Sequence, residues 1–221
     1  SEKSANLYRQ NQGIGDILTL KFAADRESEY IHLYLPDRIS APNTPEFQPM
    51  LLKQVRELVS ANHTSEQPIV ILIEDVPLKA QIATQMAADY GSRVQVEKTE
   101  INSNTILVCG WQFWQTHQEK FPTPSLLIIA TLPLPSPENP LVAGKIAYYK
   151  RQHLDWFRAY LLPTAVREIQ QSVQSLRECQ GCVAVLDNRV NARSYGRQIL
   201  SALEPYAKVN YLDQQFFQDK D

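Results

Sequence analysis

Cys179-Gln180-Gly181-Cys182 has the spacing of a chemical device, since two cysteines three apart can exchange electrons or supply half of a metal site. A structural zinc needs four ligands, and no second such pair occurs. His32, His63, His117 and His153 are scattered without an HxxxH pair, so no metal site is expected. A redox dithiol normally precedes a helix whose dipole lowers the thiol pKa. Here the pair follows a helical pattern and enters a strand-like one, which favours a structural reading. Glu74-Asp75 closes the apolar run 69–73, as Mg²⁺-holding acids do in nucleotide hydrolases. The phosphate loop that should accompany them is missing. Gly144-Lys145 has Asn139 where the first glycine belongs and Ile146 where the hydroxyl belongs. The acid pair therefore reads as a strand end followed by a helix cap. Gly13-Ile14-Gly15 lacks the third glycine of a dinucleotide turn, Leu18 standing there, and no Ser/His/Asp set has a local signature.

Residues 145–160 mix Lys145, Lys150, Arg151 and Arg158 with Tyr148, Tyr149, Trp156, Phe157 and Tyr160. Single-stranded nucleic acid needs that mixture, cations for phosphates and flat rings for bases. Trp156, Phe157 and Tyr160 also fit a core, because 156 and 160 share a helical face; Tyr148, Tyr149 and the cations remain the candidate contacts. The charge distribution agrees: residues 141–200 carry nine basic and four acidic side chains, against ten and fourteen in residues 1–110. A polyanion footprint and the solvated face of a basic helix both fit this asymmetry.

The elements that must position these residues alternate between strand and helix. With 43% apolar and 21% charged residues in 221, one large α/β domain is expected. No apolar run approaches the roughly 18–20 residues of a membrane span, and three cysteines fit a reducing, cytoplasmic setting. Strands are expected at 16–21, 30–35, 69–73, 94–96, 105–109, 125–130, 182–186 and, weakly, 209–212. A helix should open at Thr44-Pro45 and bury Phe47, Leu51, Val55, Leu58 and Val59. Another should be capped by Asp75 and stopped by Gly91. The segment 133–140 has four prolines in eight residues and must be an extended loop. Helices should follow over 141–161, from Pro163 to Gly181, and over about 192–203. Residues 1–29 read as an extension carrying an edge strand, and 30–221 as the domain.

Longer patterns carry a resemblance. Gly110, Phe113, Trp114, Phe121, Pro122, Leu132, Pro133, Pro135, Pro137 and Pro140 fall in step along residues 106–140. Phe157-Arg158-x-Tyr160-x-Leu162-Pro163-x-Ala165 follows, then the strand 183–187 with Arg189, Tyr195 and Gly196; upstream, Tyr34-Leu35-Pro36 and the strand–helix pair 69–90 also fit. Over about residues 30–205 the chain resembles the C-terminal half of DinG/XPD-type superfamily 2 DNA helicases. The resemblance implies a second RecA-like domain, a three-layer α/β/α unit with a mainly parallel sheet. It implies ATP and Mg²⁺ bound mainly by a first RecA-like domain absent from this chain, in a cleft between the halves, with single-stranded DNA crossing both. It also implies roles at two segments.

Both segments depart from the family pattern. Where the family has Phe-Trp-Glu-Gly-Val-Asp, the chain has Phe113-Trp114-Gln115-Thr116-His117-Gln118, so both carboxylates that couple nucleotide to DNA are amides. The family's Gln-x-x-Gly-Arg-x-x-Arg aligns with Gln171 to Glu178, where Ser175 and Glu178 replace the arginines. An arginine finger contributes on the order of 10³–10⁵ in rate. Arg177 could stand in only if the helix turned by about 100° or slipped one residue. Two functions follow: the C-terminal domain of an ATP-dependent DNA helicase, or a non-catalytic relative that binds nucleic acid or protein.

Overall fold

The computed structural model describes residues 29–62 and 65–210. The strand expected at 16–21, the N-terminal extension up to residue 28, His63 and the last residues of the weak strand lie outside them. Four runs are buried at every position: Ile69–Leu72, Ile106–Cys109, Leu126–Ile129 and Cys182–Val185. A strand covered on both faces needs no polar alternation, so these runs are continuously apolar. They form β2, β4, β5 and β6. With β1 (Ile31–Tyr34), β3 (Val94–Val96) and β7 (Tyr206–Val209) they make, among the described residues, a seven-stranded sheet in the order β3-β4-β2-β5-β6-β1-β7. Every pairing is parallel; Ile71, for example, lies between Val108 and Ile128.

Parallel neighbours require crossovers, and helices supply them. In chain order these are α1 (Phe47–Ala61), α2 (Val76–Tyr90), α3 (Trp111–His117), α4 (Pro140–Arg151), α5 (Leu162–Ser172), α6 (Gln174–Glu178), α7 (Arg189–Ala192) and α8 (Gly196–Leu203). Phe47, Leu51 and Val55 of α1 and Ile82 and Met86 of α2 cover the face carrying Ile71, Val108 and Ile128. Trp111 and Trp114 of α3, Ala165 and Ile169 of α5, and Ile199 and Leu203 of α8 cover the face carrying Val70, Leu107 and Leu127. The result is the RecA-like α/β/α sandwich that the resemblance implies.

Capping fixes several boundaries. Asp75 accepts the Leu78 N–H at 2.7 Å, as expected, and Gly91 ends α2 at φ 59°. Asn139 caps α4 by accepting the Leu141 N–H at 2.9 Å, with Pro140 in the first position where no N–H is needed.

Other boundaries differ from expectation. The first helix begins at Phe47, because the Thr44 hydroxyl is committed to the Ala41 carbonyl at 2.8 Å and makes a turn rather than a cap. The helix expected over 141–161 stops at Arg151. His153 takes φ 55°, and Asp155 restarts the helix by accepting the N–H groups of Phe157 and Arg158 at 3.1 and 3.2 Å. The restart is a π-helical turn, Phe157–Leu161, just before Pro163, which has no N–H to offer. Val173, at φ −98° and ψ 0°, separates α5 from α6. The last helix starts at Gly196, because Arg193 is extended between it and α7. The last strand is shifted to Tyr206–Val209 because it takes its register from β1, Ile31 opposite Tyr206 and Tyr34 opposite Val209.

Gly196 sits against backbone. A β-carbon there would lie 1.8 Å from the Val190 carbonyl oxygen, whereas one at Gly144, inside α4, would meet nothing within 4 Å. Gly196→Ala should therefore cost about 2–3 kcal/mol and lower the thermal midpoint by several degrees, by about 2–4 °C per kcal/mol for a chain of this size. Gly144→Ala should be neutral or stabilising by up to about 1 kcal/mol. Melting followed by circular dichroism compares them; equal midpoints would contradict the close approach.

Candidate functional site

The strand ends at the carboxyl edge of the sheet are joined by hydrogen bonds. Thr131, leaving β5, gives its carbonyl to the Trp111 indole N–H at 3.0 Å, and its hydroxyl oxygen accepts the Glu74 N–H at 3.0 Å. Leu132 donates its N–H to the Asp187 carboxylate at 2.9 Å. These contacts hold α3 at the end of β4, with the extended Gly110 as the residue just before its first turn.

Carboxylates crowd that edge. Glu97 pairs with the Lys79 ammonium and accepts the Gly110 N–H at 3.1 Å, which together hold its carboxyl below the usual range. Glu74 accepts the Trp111 N–H at 3.3 Å. A β-carbon at Gly110 would lie 3.4–3.8 Å from Glu97, Lys79 and Glu74, so a side chain there would crowd this cluster. Nothing local in the sequence marks Lys79, Glu97 or Glu168; the fold brings them in from separate elements.

The two segments singled out by the resemblance meet. The Gln115 amide of α3 donates to the Glu168 carbonyl at 2.8 Å and to the Ser172 hydroxyl at 2.9 Å, both in α5. The Gln118 amide donates to the Gln115 oxygen at 3.0 Å. Gln115, Gln118 and Glu119 form one side of a groove with a cavity of about 650 Å³, and Gln170, Gln171, Gln174, Ser175 and Glu178 form the other. Trp114 is buried in the core, while Phe113 is half-buried, its ring stacked on His117 at 4.4 Å. Both serve packing rather than the groove.

Arg177 lies elsewhere. Its guanidinium donates to the carbonyls of Ala202 and Pro205, each at 3.2 Å, in a separate hollow beside the end of α8. Glu74 and Gln171 are thus at or near one edge, and Arg177 is turned from it.

The basic and aromatic residues form a second surface. Val142, Ile146 and Leu161 make a small core on which Trp156, Phe157 and Tyr160 pack half-buried. The Lys145 ammonium lies 5.0 Å from the Tyr160 ring centre and that of Lys150 5.6 Å from Trp156. Tyr149 stacks on Tyr160 at 5.9 Å, and Tyr148 is 54% exposed. Arg151 is exposed, and Arg158 faces Asp155 at 3.7 Å across solvent. None of these residues lines the groove. Cys179 is exposed and Cys182 buried inside β6, so the pair has no shared access.

Glu168 carries a pH consequence. Burial, helped by the Glu74 charge and opposed by Arg167, pushes its carboxyl up to about 7 from an ordinary 4.5. A raised carboxyl keeps its proton in the fold longer than in the unfolded chain, so stability falls as pH climbs from about 4.5 to about 7 and stays lower above that. Glu168→Gln should remove this fall. Allowing for solvent screening of a half-exposed group, the variant should gain on the order of 1 kcal/mol over the parent at pH 8 and almost nothing at pH 4.5. Thermal melts across that range would show a constant difference if the carboxyl titrated normally.

Comparison with known proteins bears on both surfaces. The helicase C-terminal domain family profile matches residues 49–206. The ATP-dependent DNA helicase YoaA of Escherichia coli is 26% identical over 173 residues, covering 74% of this chain and 27% of its own length. YoaA of Haemophilus influenzae is 32% identical over 147 residues, 64% of this chain and 23% of its own. The 3'-5' exonuclease DinG of Bacillus subtilis is 32% identical over 119 residues, 51% and 13% respectively. The chain thus spans about a quarter or less of the length of these relatives. The profile runs from α1 to the start of β7 and takes in the groove and the basic helix, and on that evidence the chain belongs to the helicase C-terminal domain family.

Proposed function

We propose that this chain is the C-terminal motor half of a DinG-type DNA helicase, forming one wall of a cleft with a first RecA-like domain and offering a contact surface to single-stranded DNA. The observation that carries the reading is the meeting of α3 with α5 and α6 across the groove, which joins the two segments that the family uses at its inter-domain cleft. The first domain belongs to the same longer protein or to a separate chain, and the setting is cytoplasmic. The family's use of ATP and Mg²⁺ assigns both chiefly to that first domain. No helix among the described residues is long and apolar enough to cross a membrane.

The DNA track runs over α4 rather than along the carboxyl edge. Glu74, Asp75 and Glu97 would repel a phosphate backbone there, with Lys79 already paired. On α4, Lys145, Lys150 and Arg151 face solvent beside the exposed Tyr148. A second reading, a non-catalytic module that binds nucleic acid or protein, is favoured by one observation: the groove is lined without a single Lys or Arg.

A salt titration of single-stranded DNA binding tests the track. Every cation withdrawn from a phosphate of a single strand lowers the slope of log K against log salt by about 0.7, so Lys150→Ala/Arg151→Ala should lower it by about 1.4. Tyr148→Ala should weaken binding by about 1–3 kcal/mol if a base stacks on the ring, with the slope unchanged. An unaltered slope in the double variant would remove α4 from the track. Absence of DNA binding at low salt would leave the protein-binding form of the second reading.

A further inference from the structure

The residues facing the groove do not fit a nucleotide's phosphates. A triphosphate is a polyanion that proteins hold with cations or with free backbone N–H groups. Here the lining is glutamine, serine and two glutamates. The Gln115 amide nitrogen, the natural donor at the centre, gives its hydrogens to Glu168 and Ser172. Glu119 and Glu178 place negative charge on opposite sides of the opening.

Nor is a cation held in reserve at Arg177. Leu176, its neighbour in α6, is fully buried and fixes the rotation of that short helix. Ser175 and Glu178 then face the groove, while Arg177 satisfies two carbonyls at the end of α8. Bringing its guanidinium round would strand both carbonyls and lift Leu176 from the core. Arg167, one helical turn before Gln171, is the nearest exposed cation on the same stripe, and it does not line the groove.

We infer that no described residue of this chain gives a cation to nucleotide phosphates, and that in a two-domain assembly its groove is a passive wall whose neutral and acidic lining leaves charge neutralisation there to the opposite half. The inference rests on reading the groove as the cleft-facing wall. It goes further by removing this domain from the chemistry of phosphoryl transfer and by naming Ser175 and Glu178 as the positions responsible.

Equilibrium binding of ATP and of adenosine to the chain, at low and at high salt, tests it. The expected result is no preference for ATP over adenosine at either salt. Ser175→Arg/Glu178→Arg should then bind ATP at least tenfold more tightly than the parent, with the gain lost at high salt because it is electrostatic. Single Glu178→Arg, at an exposed position, should show a smaller gain, and melting of both variants verifies folding. A tenfold preference of the parent for ATP that collapses in Arg167→Ala or Arg177→Ala would overturn the inference. So would folded arginine variants that gain nothing, since phosphates would then not lie near these positions. The α4 salt titration is read separately, so failure of the DNA track and failure of this inference are distinguishable.

Discussion

The Asp187 carboxylate is the one charged group among the described residues that the fold buries. It lies at the end of β6 and accepts the Leu132 N–H from the end of β5, the Arg189 backbone N–H at 3.1 Å, and the Arg189 guanidinium through Nε and Nη2 at 2.6–3.0 Å. An isolated carboxylate in that position would be costly; four donors make it a fixture instead. It sets the direction in which the proline-rich segment leaves the sheet, and Thr131 beside it locks β2 and α3 in turn. The groove depends on that chain of contacts. Removing one partner of such a pair typically costs about 3–5 kcal/mol because the other charge is left buried alone.

The two surfaces are electrically opposite, and the fold keeps them on different layers of construction. The carboxyl edge is built on strand ends that cannot shift, and it carries glutamates. The cations ride on α4 and the π-helical turn after it, a satellite with its own three-residue core of Val142, Ile146 and Leu161. Such a small core is held to the body chiefly through the turn's continuity with α5 and through Phe157, whose ring meets Tyr195 at 4.8 Å. The satellite therefore rests on fewer buried contacts than the helices packed directly on the sheet, which leaves it more room to adjust to a polymer.

What was legible in the sequence followed burial. The strands β2, β4, β5 and β6 were readable because a doubly covered strand is apolar at every position, and Asp75 because its cap is local. Thr44 misled for a local reason: its hydroxyl donates to the Ala41 carbonyl three residues back, a turn that competes with the cap. The breaks at Gln152 and Val173 and the start at Gly196 depend on what packs beside them, and local propensity carries no record of that. At the groove, the identities of Gln115, Gln118, Ser175 and Glu178 were visible as departures from a pattern. The turning of Arg177 toward α8 was not, since it depends on carbonyls of residues 202 and 205. Lys79, Glu97 and Glu168 left no signal at all.

The sheet order has a consequence for how the chain comes into being. β1 pairs on one side with β6 and on the other with β7, so His32 lies opposite Cys182 and Ala207. Some 150 residues separate β1 from the nearer of these two partners in sequence. At synthesis rates of about 5–20 residues per second, β1 waits roughly 8–30 s on the ribosome before either neighbour exists. Throughout that interval Ile31 and Leu33, fully buried in the finished sheet, lack both partner strands. β1 is thus among the last of the described strands to be placed, and closing the loop to reach it is the slow, non-local step that a parallel topology imposes.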